Sequence, residues 1–138
     1  LGVLAGIVTY WLASRLEGAN RFFGTTILVG DTVHALAATE FYFLPVARIV
    51  VKGRSQPVAV FTPVGPRRDP VPGWCEPYTA AVTALEAGRF AEAAAGFAAL
   101  PAEDARFGAL FAQQTEFARR LATAPPAHWD GIRRFDQK

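Results

Sequence analysis

The chain has no methionine, one cysteine and two histidines among its 138 residues. A single cysteine, Cys75, cannot close an internal disulfide and offers no metal-ligand spacing, which excludes a disulfide scaffold and fits a reducing compartment such as the cytoplasm. A buried structural thiol is the expected state of Cys75. Charge of one sign is equally scarce: the formal net charge is +2, and no more than two Lys or Arg stand side by side. That is too little for a nucleic-acid footprint, so nucleic acid is not expected as a partner. Long hydrophobic runs are missing as well. The uncharged opening from Leu1 to Ala13 is broken by Ser14 and Arg15, short of the ~20 apolar residues a spanning helix needs. Its basic residue follows the apolar stretch, the reverse of a signal peptide. With Leu1 in first place and no methionine anywhere, the chain reads as a fragment of a longer protein.

What is present is organised by hydrophobic period. Leu12, Leu16, Ala19 and Phe23 recur at helical spacing between Thr9 and Phe23, while Arg15, Glu17 and Arg21 fall elsewhere on the wheel; an amphipathic helix ending at Gly24 is predicted. The β-branched run Thr25 to Val29 reads as a short buried strand, and Asp31 as the N-cap of a brief helix, Thr32 to Ala38. Two β-rich runs, Phe41 to Val51 and Gln56 to Phe61, flank the turn Lys52-Gly53-Arg54-Ser55 and predict a hairpin. Pro45 marks a break or edge position. Five prolines and two glycines between Pro63 and Pro77 suggest a linker that carries neither sheet nor helix. Beyond it, helices are expected over Tyr78 to Ala87, Phe90 to Leu100 and Glu103 to Leu121, stopped by Pro125-Pro126.

Two strings carry a resemblance. Leu12-Ala-Ser-Arg-Leu-Glu-Gly-Ala-Asn-Arg-Phe-Phe-Gly-Thr-Thr-Ile-Leu-Val29 resembles the helix-strand segment that follows the Asn-x-x-x-Arg motif of bacterial class III adenylate/guanylate cyclases. Ala47-Arg-Ile-Val-Val-Lys-Gly-Arg-Ser-Gln-Pro-Val-Ala-Val-Phe61, further along the chain, resembles the hairpin that closes the same catalytic domain. The resemblance implies an α/β fold, the C-terminal part of a ferredoxin-like-derived cyclase domain at residues 1–64. A proline-rich linker (65–77), a helical hairpin similar to a tetratricopeptide pair (78–124) and a C-terminal extension (125–138) then follow. It implies that the complete enzyme, a homodimer through its cyclase domain, converts ATP, in preference to GTP, to the cyclic nucleotide with Mg²⁺ or Mn²⁺. Negative charge grows on phosphate oxygens during this cyclisation, and fixed cations answer it. The resemblance makes Arg15 the transition-state arginine, and Lys52 or Arg54 the cation on the terminal phosphates, with the spacing leaving open which.

The departures are specific. Where the family has an asparagine four residues before the arginine, this chain has Trp11, one donor and no acceptor, so the ribose-positioning role does not carry over. The base-selecting position falls on Leu4, and the aspartates that hold the metals are expected upstream of Leu1. Glu17, Asp31 and Glu40 are too few and too scattered for a two-metal site, and His34 and His128 read as separate surface histidines. Tyr78, Ala81, Gly88, Phe90, Ala93 and Phe97 approximate one tetratricopeptide-like repeat. The closing stretch from Ala124 to Lys138 resembles the ends of bacterial cyclases that carry an extracytoplasmic CHASE2 sensor, which implies anchoring in the inner membrane through segments upstream. A catalytically silent regulator and a protein-interaction module built on the helical tail are the competing readings.

Overall fold

The computed structural model describes residues 23–25, 27–50 and 56–134. Their elements run α1 (Asp31–Ala37), β1 (Phe41–Val50), β2 (Val58–Pro66), α2 (Cys75–Glu86), α3 (Phe90–Ala98), α4 (Gly108–Thr123) and β3 (Ile132–Arg134). The expected mixed α/β class holds for them. The three strands form one sheet in the order β2-β1-β3. β1 pairs antiparallel with β2 and parallel with β3, Arg48 opposite Ile132 and Val50 opposite Arg134.

Side-chain alternation explains how the sheet sits. Val58, Val60 and Thr62 of β2 are buried at period two, and Leu44, Val46 and Ile49 of β1 are fully enclosed beside them. Such alternation turns one face to the core and the other away. Phe43 and Phe61 occupy the other face, where the ring of His34 from α1 stacks on Phe61 at 3.8 Å and meets Phe43 edge-on at 5.1 Å. His34 is therefore half-buried against aromatics rather than a plain surface histidine, whereas His128 is exposed as expected.

Several boundaries move, each for a local reason. The run Thr25 to Val29 does not make a strand among its described residues; it contributes one antiparallel bridge, Val29 to Phe61, with hydrogen bonds of 2.8 and 2.9 Å. Helix α1 starts at Asp31 itself with Gly30 as N-cap and no side-chain capping bond. Asp31 thus meets the positive end of the helix as a charge and not as a cap. β2 runs on to Pro66, through the start of the expected linker. It lies at the sheet edge, where a missing proline N–H costs no ladder bond. Pro45 is accommodated in β1 by a register shift between Pro45 and Ala47. Its partner Phe61 turns both backbone groups to Val29, so no bond to Pro45 is lost. α2 starts at Cys75, because Pro77 falls in its first turn, where the N–H has no intrahelical partner in any case.

The third tail helix begins at Gly108, five residues later than the periodicity suggests. The Oδ1 of Asp104 accepts the backbone N–H groups of Arg106 at 2.9 Å and Phe107 at 2.8 Å, which favours a turn over a continued helix. Gly108 is required there: a Cβ would run into the carbonyl oxygen of Ala102.

The helices do not stand apart from the sheet. Tyr78, Val82 and Leu85 of α2, Phe90, Ala93 and Phe97 of α3, and Leu110, Phe111 and Ala118 of α4 share one apolar cluster with Leu44, Val46, Ile49, Val58 and Val60. β3, from the expected C-terminal extension, completes the sheet. The tail is thus integrated with the strands instead of forming an independent unit, since its apolar faces are covered by sheet residues.

Candidate functional site

The three residues to which the sequence assigns roles, Arg15, Lys52 and Arg54, lie outside the described residues, as do Trp11 and Leu4. Their described neighbours are well defined. Phe23 is helical and fully buried, and Gly24 follows it with φ 72°, which agrees with a helix ending at Gly24. Val50 and Val58 end and begin the paired strands that flank residues 51–57.

The described residues bring together a different group. Gln114 of α4 is fully buried; its Nε2 donates to the carbonyl oxygen of Val46 at 2.9 Å and to the hydroxyl of Tyr78 at 3.0 Å. Its Oε1 accepts from Nη2 of Arg133 on β3. The Arg133 guanidinium lies over Phe117 at 4.0 Å and over Phe23 at 5.1 Å. Burial pushes the Arg133 pKa down to about 10, leaving it charged at neutral pH, and pushes the Tyr78 phenol up. Gln114 offsets the burial of Tyr78 and of one edge of Arg133 by hydrogen-bonding to both. The chain's periodicity could have revealed Gln114, which stands at the apolar spacing of Leu110, Phe111 and Ala118. Arg133 carried no such signal, because its burial depends on a strand pairing 80 or more residues distant in sequence from β1.

A separate groove of about 380 Å³ opens between β2 and the start of α4, walled by Tyr42, Pro66, Val71, Trp74, Arg106 and Phe107. Two of its polar side chains, Arg106 and Asp104, are already committed. Arg106 donates to the carbonyl oxygens of Val64 at 2.8 Å and Pro63 at 3.1 Å, and Asp104 caps the turn into α4. Cys75 is buried, with its thiol pKa raised by burial, a structural thiol in an apolar setting.

Among the described residues no group of three or more His, Cys, Asp and Glu could hold a metal ion. Those residues therefore do not fit the two-metal requirement that the cyclase resemblance brings, and Asp31 and Glu40 are exposed. Among them, too, no helix is long and apolar enough to cross a membrane. No family model matches the chain, nor does any curated protein or solved structure.

Proposed function

We propose that the chain is the C-terminal end of a class III nucleotide cyclase, the last part of its catalytic domain followed by a helical tail, and that the complete protein makes cyclic AMP from ATP for signalling. The observation that carries this reading is the pair of ordered strings at residues 12–29 and 47–61. The antiparallel pairing of β1 with β2 around residues 51–57 supports it, because the second string resembles a hairpin.

In this reading the 3′-hydroxyl oxygen of ATP bonds to the α-phosphorus as its proton leaves, and the bond to the departing pyrophosphate breaks. Arg15 answers the charge that develops on the phosphate oxygens, and Lys52 or Arg54 neutralises the terminal phosphates; an arginine fork matches phosphate geometry. Mg²⁺ or Mn²⁺ supplies charge neutralisation, held by aspartates that the reading puts upstream of Leu1. The active form is a homodimer, GTP is the lesser substrate, and the chain works in the cytoplasm with its parent anchored in the inner membrane beyond a CHASE2 sensor. The tetratricopeptide likeness of α2 and α3 belongs to the same proposal.

Trp11 and Leu4 favour a second reading, a catalytically silent cyclase-like regulator, because neither side chain can position ribose or select a base. Incubating the complete parental protein with ATP or GTP and Mg²⁺ or Mn²⁺ separates the two. Equal release of cyclic nucleotide and pyrophosphate is expected; a folded, dimeric parent with neither product would overturn the cyclase reading in favour of the regulator.

A further inference from the structure

Arg133 is 6% exposed, the one buried charged side chain among the described residues. Its Nη2 is held by Gln114, its faces by Phe117 and Phe23, and its Nη1 has no hydrogen-bond partner among the described residues. An apolar side chain of similar length would fill the same space without desolvating a charge, and such replacements are often neutral or stabilising. What the guanidinium adds is direction. A planar fork that hydrogen-bonds on one edge and stacks on its face fixes the relative placement of the groups it touches. Those groups belong to two segments other than its own strand β3: α4, which carries Gln114 and Phe117, and the helix end at Phe23.

The same helix end is fixed a second time. Gly24 approaches α4 so closely that a Cβ on it would stand 2.8 Å from the Cβ of Ala109. Phe23 is fully buried. Arg15 stands eight residues before Phe23 in the sequence.

We propose that Arg133 is a positioning residue, tying the C-terminal strand and α4 to the end of the helix on which the cyclase reading puts Arg15. The proposal rests on that reading. It gives the helical tail a purpose within the catalytic unit: a misplacement of ~1 Å in a group that stabilises a transition state costs about a hundredfold in rate, so a helix end held by both β3 and α4 protects turnover. β3 is the piece that closes the clamp.

The test uses the complete parental protein, with Arg133→Met, which keeps an unbranched side chain in the cavity, and Arg134→Met as a control on the exposed neighbour. Measured are the melting temperature, kcat and KM for ATP, and hydrogen exchange in the peptide covering residues 15–25. Arg133→Met is expected to stay folded, lose roughly tenfold in kcat with KM within about twofold, and exchange faster in that peptide; Arg134→Met should match the wild type. If Arg133→Met does not fold, Phe117→Leu, which removes the closer ring and leaves the guanidinium in place, carries the test with the same expected direction. Normal kcat in a folded Arg133→Met protein would overturn the positioning role alone. A wild-type parent without turnover would overturn the cyclase reading, and the catalytic purpose of Arg133 with it.

Discussion

The side-chain amide of Gln114 donates to the backbone carbonyl of Val46 across 2.9 Å, joining α4 to the central strand over 68 residues of chain. The same Nε2 reaches the hydroxyl of Tyr78, and the Oε1 takes a hydrogen bond from Arg133. One side chain therefore satisfies three polar groups from three elements inside an apolar core.

Replacing Gln114 by leucine keeps the volume but strands the Val46 carbonyl, the Tyr78 hydroxyl and one edge of Arg133. Each unsatisfied buried group costs ~1–3 kcal/mol, so Gln114→Leu should destabilise the chain by about 3 kcal/mol or more in urea unfolding. Tyr78→Phe, which removes only one acceptor, should cost about 1 kcal/mol. Equal losses for the two would contradict a shared hub at Gln114.

Gly24→Ala should be far more harmful than Gly65→Ala. Gly24 has φ 72° and a Cβ there would press on Ala109, whereas a Cβ on Gly65 meets nothing within 4 Å. The first substitution combines a left-handed backbone with overpacking and should cost about 2 kcal/mol; the second should stay within about 0.5 kcal/mol of the wild type. Thermal melts of the two variants decide the matter.

Cys75 is 2% exposed, and burial raises its pKa. Since the thiolate is the reactive form, a disulfide reagent at pH 8 should label the folded chain far more slowly than the same chain in denaturant. Prompt labelling of one thiol per folded chain would show that Cys75 is reached by solvent.

Asp130 is held down to about 2 by its hydrogen bond from Arg134, with the N–H of Ile132 adding to the effect. A carboxyl depressed in the folded state contributes stability that is present above its unfolded value, near ~3.9, and is lost as pH falls through the folded value. The advantage of the wild type over Asp130→Asn should therefore shrink between about pH 4 and pH 2, as followed by melting temperature. The pair is exposed and the effect small; an advantage that persists at pH 2 would mean that Asp130 acts without its charge.

The fragment 75–138 should fail to melt cooperatively when expressed alone. Val46, Ile49 and Leu44 cover the inner faces of its helices, and β3 has no partner without β1. A sharp unfolding transition of that fragment would restore the picture of an independent tail.

The helices α2, α3 and α4 and the paired strands β1 and β2 were legible in the chain because their apolar residues repeat at 3.6 or 2 residues, a pattern that local geometry imposes. The prolines misled where their cost depends on place. Pro63 and Pro66 lie on an edge strand and Pro77 in a first helical turn, positions at which the missing N–H is not needed, and no local signal distinguishes these from breaking positions. Asp104 delayed α4 by competing for backbone N–H groups, a choice between two local hydrogen-bonding patterns that composition leaves open.

The sequence by itself determined the helices α1 to α4, the strands β1 and β2 and the order of these elements, because each depends on neighbours within a few positions. Only the tertiary structure decided that the tail belongs to the sheet, that Ile132–Arg134 forms its third strand, and that Arg133 is buried between Phe117 and Phe23. The reason is physical: an arginine near a chain end is solvated by default, and it is drawn inside only when a strand pairing formed across the whole core delivers it to partners that its own neighbours in sequence do not supply.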